Sequence, residues 1–231
     1  MKKKYLYIVA VIAISCLSLI SCNKDDDDVP TDLISATLQG TFTDVRDGNT
    51  YRWVRYGNLE WMADNFRYVI NDQTKCLLYI KPDGKTNVDP EKYGRLYTYK
   101  GAEEACPEGW RLPTDEDWKN LEMIMGMSQS EANQQDWRGN IAKRMLTMSE
   151  TKTDINVLLA GYYCPYMIMG MTGFRFISEK GYYWTATNDS GKGTDFYYFR
   201  EFMFNNNGVR RQSTTSDYFM SVKYVMIQVL F

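Results

Sequence analysis

The chain has 231 residues, with 27 Lys+Arg against 29 Asp+Glu, a formal net charge of −2, and no histidine. The lack of histidine excludes Ser-His-Asp and Cys-His nucleophile pairs, histidine-ligated zinc and histidine acid–base chemistry. Without the basic cluster Lys2, Lys3 and Lys4 the balance is 24 basic to 29 acidic residues, or −5, which argues against nucleic acid as a partner.

Those three lysines precede an apolar run from Tyr5 to Ile20, then Ser21 and Cys22. This order of features is an export address and not part of a fold. The run is interrupted by Ser15 and Ser18 and falls short of the ~20 apolar residues a spanning helix needs. Leu19-Ile20-Ser21-Cys22 resembles a bacterial lipobox, in which the cysteine thiol takes a diacylglycerol and the leader, residues 1–21, is removed. Residues 22–38 carry Asp25-Asp26-Asp27-Asp28, cannot be buried, and are expected to form a solvated acidic tether. The tether resembles the acidic export signal that lipoproteins of the Bacteroidota carry after the lipidated cysteine. The implied location is the outer membrane, lipid-anchored through Cys22 and facing the exterior, with the membrane as first partner.

Residues 39–231 are enough for one domain with a real core. Thr41–Val45 and Tyr51–Val54 read as strands joined at Asp47-Gly48, where glycine accepts the positive φ of a tight turn. Leu59–Met62 reads as a third strand. Residues 71–93 read as irregular loops, punctuated by Pro82, Asp83-Gly84 and Asp89-Pro90. Tyr97–Ala105 reads as a short helix. Thr114 then offers an N-cap with Asp117 at the reciprocal capping position, and Trp118, Leu121 and Met125 form the buried stripe of the helix that follows. A second helix is expected from Glu131 to Met148, with Trp137, Ile141 and Met145 as its stripe. Strand signals return in Val157–Gly161, Phe174–Phe176, Gly181–Thr185, Phe196–Phe204 and Val222–Leu230. Helices in mid-chain with strands on both sides indicate α+β, with the two ends of the domain meeting in one sheet.

Several blocks together resemble the Fibrobacter succinogenes major paralogous domain: Asp44–Tyr51, Trp61-Met62-Ala63-Asp64-Asn65-Phe66, Cys106-Pro107-Glu108-Gly109-Trp110-Arg111-Leu112-Pro113-Thr114, Glu116–Trp118, Tyr183-Trp184-Thr185 and Ser221-Val222. Their order and spacing fit across about residues 40–229. The resemblance implies a C-type-lectin-like fold, small antiparallel sheets with two helices in mid-chain, in a surface or secreted protein with no well-established biochemical activity. The chain departs from the family pattern at Arg111, where members commonly carry histidine, and at Lys223-Tyr224, where a late cysteine commonly stands. The usual partner of Cys106 is thereby missing. With Cys16 removed and Cys22 lipidated, Cys76, Cys106 and Cys164 remain, for which one disulfide and one free thiol is the natural count in an oxidising envelope, with the choice of pair open.

Trp61, Trp110, Trp118 and Trp184 suit sugar stacking in principle but read first as core, and Asn65, Pro113 and Thr114 as fold-specifying residues at a strand end and a capped helix start. Asn188, Asp189 and Asp195 are candidate oxygen ligands for calcium, although their spacing differs from the lectin Trp-Asn-Asp motif and the same stretch reads as a turn. No other cofactor is expected. The dense aromatic stretches place Tyr163, Tyr166, Tyr197 and Tyr198 as the candidate ligand face. The leading expectation is a non-catalytic surface module that binds a glycan or a surface protein. A structural subunit of a surface assembly is the alternative. A third reading starts from Arg111–Trp118, which also resembles the Arg-Leu-Pro-Thr block of formylglycine-generating-type enzymes, but the cysteine pair such enzymes use to bind copper is not evident in the spacing.

Overall fold

The computed structural model describes residues 36–81, 83–146, 155–168 and 171–227; Cys22, the leader and most of the tether lie outside the described residues. In chain order the elements begin with β1 (Leu38–Thr43), β2 (Thr50–Tyr56), β3 (Leu59–Met62), β4 (Cys76–Leu77), α1 (Pro90–Tyr93), β5 (Leu96–Tyr97), α2 (Tyr99–Ala105) and α3 (Asp115–Ile124). There follow α4 (Gln129–Ala132), β6 (Asp136–Arg138), α5 (Ala142–Met145), β7 (Ala160–Ile168), β8 (Met171–Ile177), β9 (Lys180–Asn188), β10 (Phe196–Met203), β11 (Val209–Thr215) and β12 (Val225–Ile227). They form a four-stranded sheet in the order β1-β2-β3-β12, a six-stranded sheet in the order β6-β11-β10-β9-β7-β8, and the pair β4-β5. The architecture is α+β, as the strand and helix signals indicate.

The opening hairpin closes where Gly48 takes φ 76° and the Asp44 amide donates to the Asn49 carbonyl at 2.8 Å. The domain ends share a sheet, with β12 antiparallel to β3 and Val225 opposite Trp61. Between the sheets runs the buried segment Phe219–Tyr224. Its backbone exchanges bonds with Tyr163 of β7 and Tyr97 of β5, Ser221 donates to the Tyr182 carbonyl, and the Val222 and Tyr224 carbonyls accept from Phe66 and Met62. The Ser221-Val222 block is thus the thread that ties both main sheets together.

Two expectations are corrected. The helix expected over 131–148 is instead α4, β6 and α5, because Asp136 and Gly139 sit at φ 65° and 63°, a left-handed conformation that no α-helix continues through. Trp137 leaves the supposed stripe and pairs with Arg210 across β6 and β11, whereas Ile141 and Met145 are buried. The expected disulfide is also absent: Cys76, Cys106 and Cys164 are all free. Each thiol turns to a different carbonyl, those of Tyr68, Trp110 and Tyr166 respectively. At the position after Lys223 the Tyr224 hydroxyl donates to the Ala102 carbonyl, so a buried phenol ties the last strand to α2.

The core beneath the six-stranded sheet joins Trp118, Leu121 and Met125 of α3 to Trp61, Tyr183, Phe202 and Val209. A second cluster joins Tyr51, Phe66, Tyr97, Trp110, Trp184 and Tyr224.

Candidate functional site

Alternation along β9, β10 and β11 gives the six-stranded sheet two different faces. On the core side lies a buried ionic network. Asp115 accepts from Arg200 Nη1 at 2.7 Å and from Arg211 Nη2 at 2.7 Å, and Glu122 accepts from Arg200 Nε at 2.6 Å and from Arg138 Nη2 at 2.5 Å. The Glu122, Arg138 and Arg200 side chains are fully buried, 0% exposed. These guanidinium contacts hold the Asp115 carboxyl well below the usual carboxylate range, against the opposing effect of burial. Burial lowers Arg138 to about 10 despite Glu122. The cluster is almost wholly withdrawn from solvent, with Asp115 and Arg211 the least covered, and it fixes the sheet against α3.

On the opposite face is a groove of about 380 Å³ that crosses β8, β7, β9, β10 and β11. Along its aromatic side, and past its end at Tyr166, runs a row of rings: Phe176 to Tyr162 at 5.9 Å and 31°, Tyr162 to Tyr218 at 5.9 Å and 26°, and Tyr218 to Tyr166 at 6.0 Å and 56°. Phe176 and Tyr166, the two ends of the row, are 37% and 49% exposed. Phe176 has φ 62°, a conformation that costs a bulky residue on the order of 1–2 kcal/mol and that the surrounding structure must enforce. Lys180 Nζ lies 4.9 Å from the centre of its ring.

The polar side centres on Glu201, which is buried. Lys180 Nζ donates to Glu201 Oε1 at 2.7 Å, Tyr182 Oη donates to the same oxygen at 3.2 Å, and Arg210 Nη1 donates to Oε2 at 3.1 Å. Arg210 Nε also donates to Asp136 at 2.6 Å. Burial and the neighbouring Glu201 carboxylate push the Tyr182 phenol far above its ordinary value, so it stays a donor. Arg210 is held above its ordinary value because its contacts with Asp136 and Glu201 outweigh burial. Gln212, Ser213 and Thr214 complete the rim.

The four tyrosines expected to form one ligand face are separated. Tyr166 ends the aromatic row, next to Tyr218. Tyr163 packs inward against Phe174 at 4.9 Å and Phe219 at 5.3 Å. Tyr197 stacks on Tyr99 at 3.5 Å, and Tyr198 lies under the Arg211 guanidinium at 4.2 Å. Tyr162, Tyr182 and Tyr218 supply the groove instead. For Tyr182 the signal in the sequence is the period of two: it is two residues before Trp184 on β9, as Phe199 is two before Glu201 on β10.

The candidate calcium ligands are also apart in role. The Asn188 amide donates to the Thr194 and Phe196 carbonyls, both at 2.9 Å, and so closes the turn. The Asp189 carboxylate accepts from Ser213 at 2.5 Å and that of Asp195 from Ser216 at 2.5 Å. Among the described residues no group of three or more His, Cys, Asp or Glu side chains is placed to hold a metal.

The motif tryptophans and Asn65 lie in the interior. Trp61 meets Trp118 edge to face at 5.0 Å, Trp184 Nε1 donates to the Tyr97 carbonyl at 2.8 Å, and Trp110 packs on Phe42 at 5.3 Å. Asn65 donates to the Tyr93 carbonyl at 2.9 Å and accepts from the Tyr183 hydroxyl at 3.0 Å. The Pro113 carbonyl accepts from Ala186, Thr114 and Asp117 form the capping box of α3, and Arg111 forks onto Asp117 at 2.6 and 3.2 Å. Arg46, from the first block, donates to the Ala105 carbonyl at 2.7 Å, a cation at the C-terminus of α2.

Fold and site together define an α+β domain whose largest sheet is locked by charge on one face and open as an aromatic groove on the other. The chain belongs to the Fibrobacter succinogenes major domain family, which matches residues 54–226. No curated protein and no solved structure matches it.

Proposed function

We propose that the protein is a lipid-anchored module, displayed on the outer face of the outer membrane, that holds a carbohydrate or protein ligand in the sheet groove without altering it chemically. The observation that carries this reading is the row Phe176, Tyr162, Tyr218 and Tyr166 beside a fixed polar wall, the combination of apolar contact and convergent polar groups that small binding sites present. Lys2–Lys4, the apolar run and Cys22 supply the anchor, and the acidic tether would hold the domain clear of the headgroups. Among the described residues Glu201 is the one carboxylate that lines the groove, and it is committed to Lys180, Tyr182 and Arg210. Glycoside hydrolysis uses a pair of carboxylates flanking the bond, which supports binding over turnover.

The test has two arms. Cells expressing the full chain are fed an alkyne fatty acid and treated intact with protease; labelling that disappears in Cys22→Ser, and digestion without lysis, are the expected results. Retention on immobilised glycans or surface extracts, compared between the wild type and Tyr166→Ala, reads the groove. Equal retention of both would defeat the proposed site.

A further inference from the structure

We infer that the groove accepts a neutral oligosaccharide of several rings. This deepens the binding-module reading and rests on it. Phe176, Tyr162 and Tyr218 follow one another at spacings of 5.9 Å, inclined by 31° and 26°, and so offer a line of rings and not a single slot. Tyr166 continues the line past the groove itself, so a ligand longer than one ring gains contact that a monosaccharide would not. An aromatic face suits the apolar C–H side of a pyranose, and the sugar's edge then points to the opposite wall.

That wall is polar but electrically spent. Lys180 and Arg210 both bind Glu201, and Arg210 also binds Asp136, so the two cations that border the groove are matched by two carboxylates. A carboxylated sugar would meet cations whose charge Glu201 and Asp136 already balance, and a cationic ligand finds among the residues that line the groove no carboxylate but Glu201, which already holds Lys180 and Arg210. What remains for a ligand is neutral hydrogen-bonding capacity: the Gln212 amide and the Thr214 hydroxyl. These match sugar hydroxyls, which both donate and accept. A peptide that adds as a strand needs an open sheet edge, whereas the middle of this groove lies on the face of β9 and β10, which are paired on both sides.

The experiment uses the mature chain carrying Cys22→Ser, titrated calorimetrically with cellohexaose, xylohexaose, mannohexaose and maltohexaose. Hexagalacturonate and a proline-rich dodecapeptide serve as the charged and peptide probes. Tyr166→Ala and Phe176→Ala remove exposed rings, and thermal melts verify that both variants are folded. The expected result is that at least one neutral hexasaccharide binds, with affinity unchanged by salt and reduced about tenfold in each variant. Preferential, salt-sensitive binding of hexagalacturonate overturns the neutral assignment and leaves the groove reading intact. Binding of the dodecapeptide alone, lost in both variants, overturns the saccharide class and again leaves the groove. A neutral saccharide bound equally by wild type and both variants overturns the location. Binding of none of the probes overturns this inference, while retention of a surface extract that Tyr166→Ala abolishes would still uphold the broader reading.

Discussion

Replacing Glu122 with glutamine removes one negative charge from a site that no water reaches. Its two carboxylate oxygens serve Arg200 at 2.6 Å and Arg138 at 2.5 Å, and all three side chains are fully buried. With Asp115 the wild type sets two carboxylates against Arg138, Arg200, Arg211 and Lys119; in the variant only Asp115 remains. The glutamine also turns an amide donor toward one of two guanidinium donors. Leaving a buried charge uncompensated costs about 3–5 kcal/mol, a large share of the ~5–15 kcal/mol that holds a domain together. Urea unfolding followed by tryptophan fluorescence should therefore show a midpoint lowered by more than 1 M at a slope of about 2 kcal/mol/M. Glu116→Gln, on the exposed side of the same helix, controls for the helix itself and should shift stability by less than about 0.5 kcal/mol. A Glu122→Gln variant within 1 kcal/mol of wild type would refute the argument, because it would mean that the arginines find other partners or water.

Other expectations follow from the same contacts. Phe176→Gly should change stability by less than about 1 kcal/mol in urea unfolding, since relief of the positive φ offsets the lost ring contacts, yet it should weaken ligand retention on the groove. Burial lowers the Lys223 ammonium to about 7, with Asp64 opposing this and Arg52 adding to it, whereas an unfolded lysine titrates near 10.4. Between those values the unfolded chain binds more protons, so stability should rise with pH from about 7 toward 10, and Lys223→Met should abolish that rise in melts taken across the interval. Asp115 and Asp117 sit below the usual carboxylate value, so the stability they contribute should be present at neutral pH and be lost as pH falls below about 4, measurable as acid unfolding. Non-reducing thiol titration of the unfolded Cys22→Ser chain should find Cys76, Cys106 and Cys164 all reactive. In the folded chain Cys106 should react slowly, its thiol being pushed up to about 12 by burial.

What could be read from the sequence was local chemistry. Asp47-Gly48 marks its hairpin because the turn demands a positive φ, and Thr114 with Asp117 marks the start of α3 because the free amides of a helix end need acceptors. The blocks around Trp61, Trp110, Trp184 and Ser221 were visible as motifs, although the Phe219–Tyr224 thread that makes them neighbours is long-range. The expected helix over 131–148 failed because Ile141 and Met145 do face the core, which mimics a stripe, while left-handed residues at Asp136 and Gly139 set Trp137 into a strand. The ionic network had a faint signature: Asp115, Trp118 and Glu122 share one helical face at spacings of three and four, so two acids lie on the buried stripe. Their arginine partners arrive from strands 78 and 96 residues away, a pairing that no local pattern contains.

The two faces of the sheet are linked through register. Across β10 and β11, Arg200 stands opposite Arg211 and Glu201 opposite Arg210. The first pair would repel if left alone, but Asp115 binds both guanidinium groups; the second pair attracts and forms the polar wall of the groove. Slipping one strand by a single residue would face Glu201 with a core arginine and send one of the buried cations into the groove, since every side chain on that strand changes face. The network under the sheet therefore selects against the slipped pairing at the cost of a desolvated core, and in doing so it sets which residues line the groove. A variant that loosens Asp115 should then alter ligand binding without touching a single groove residue, while a substitution in the aromatic row should alter binding and leave the strand register as it is.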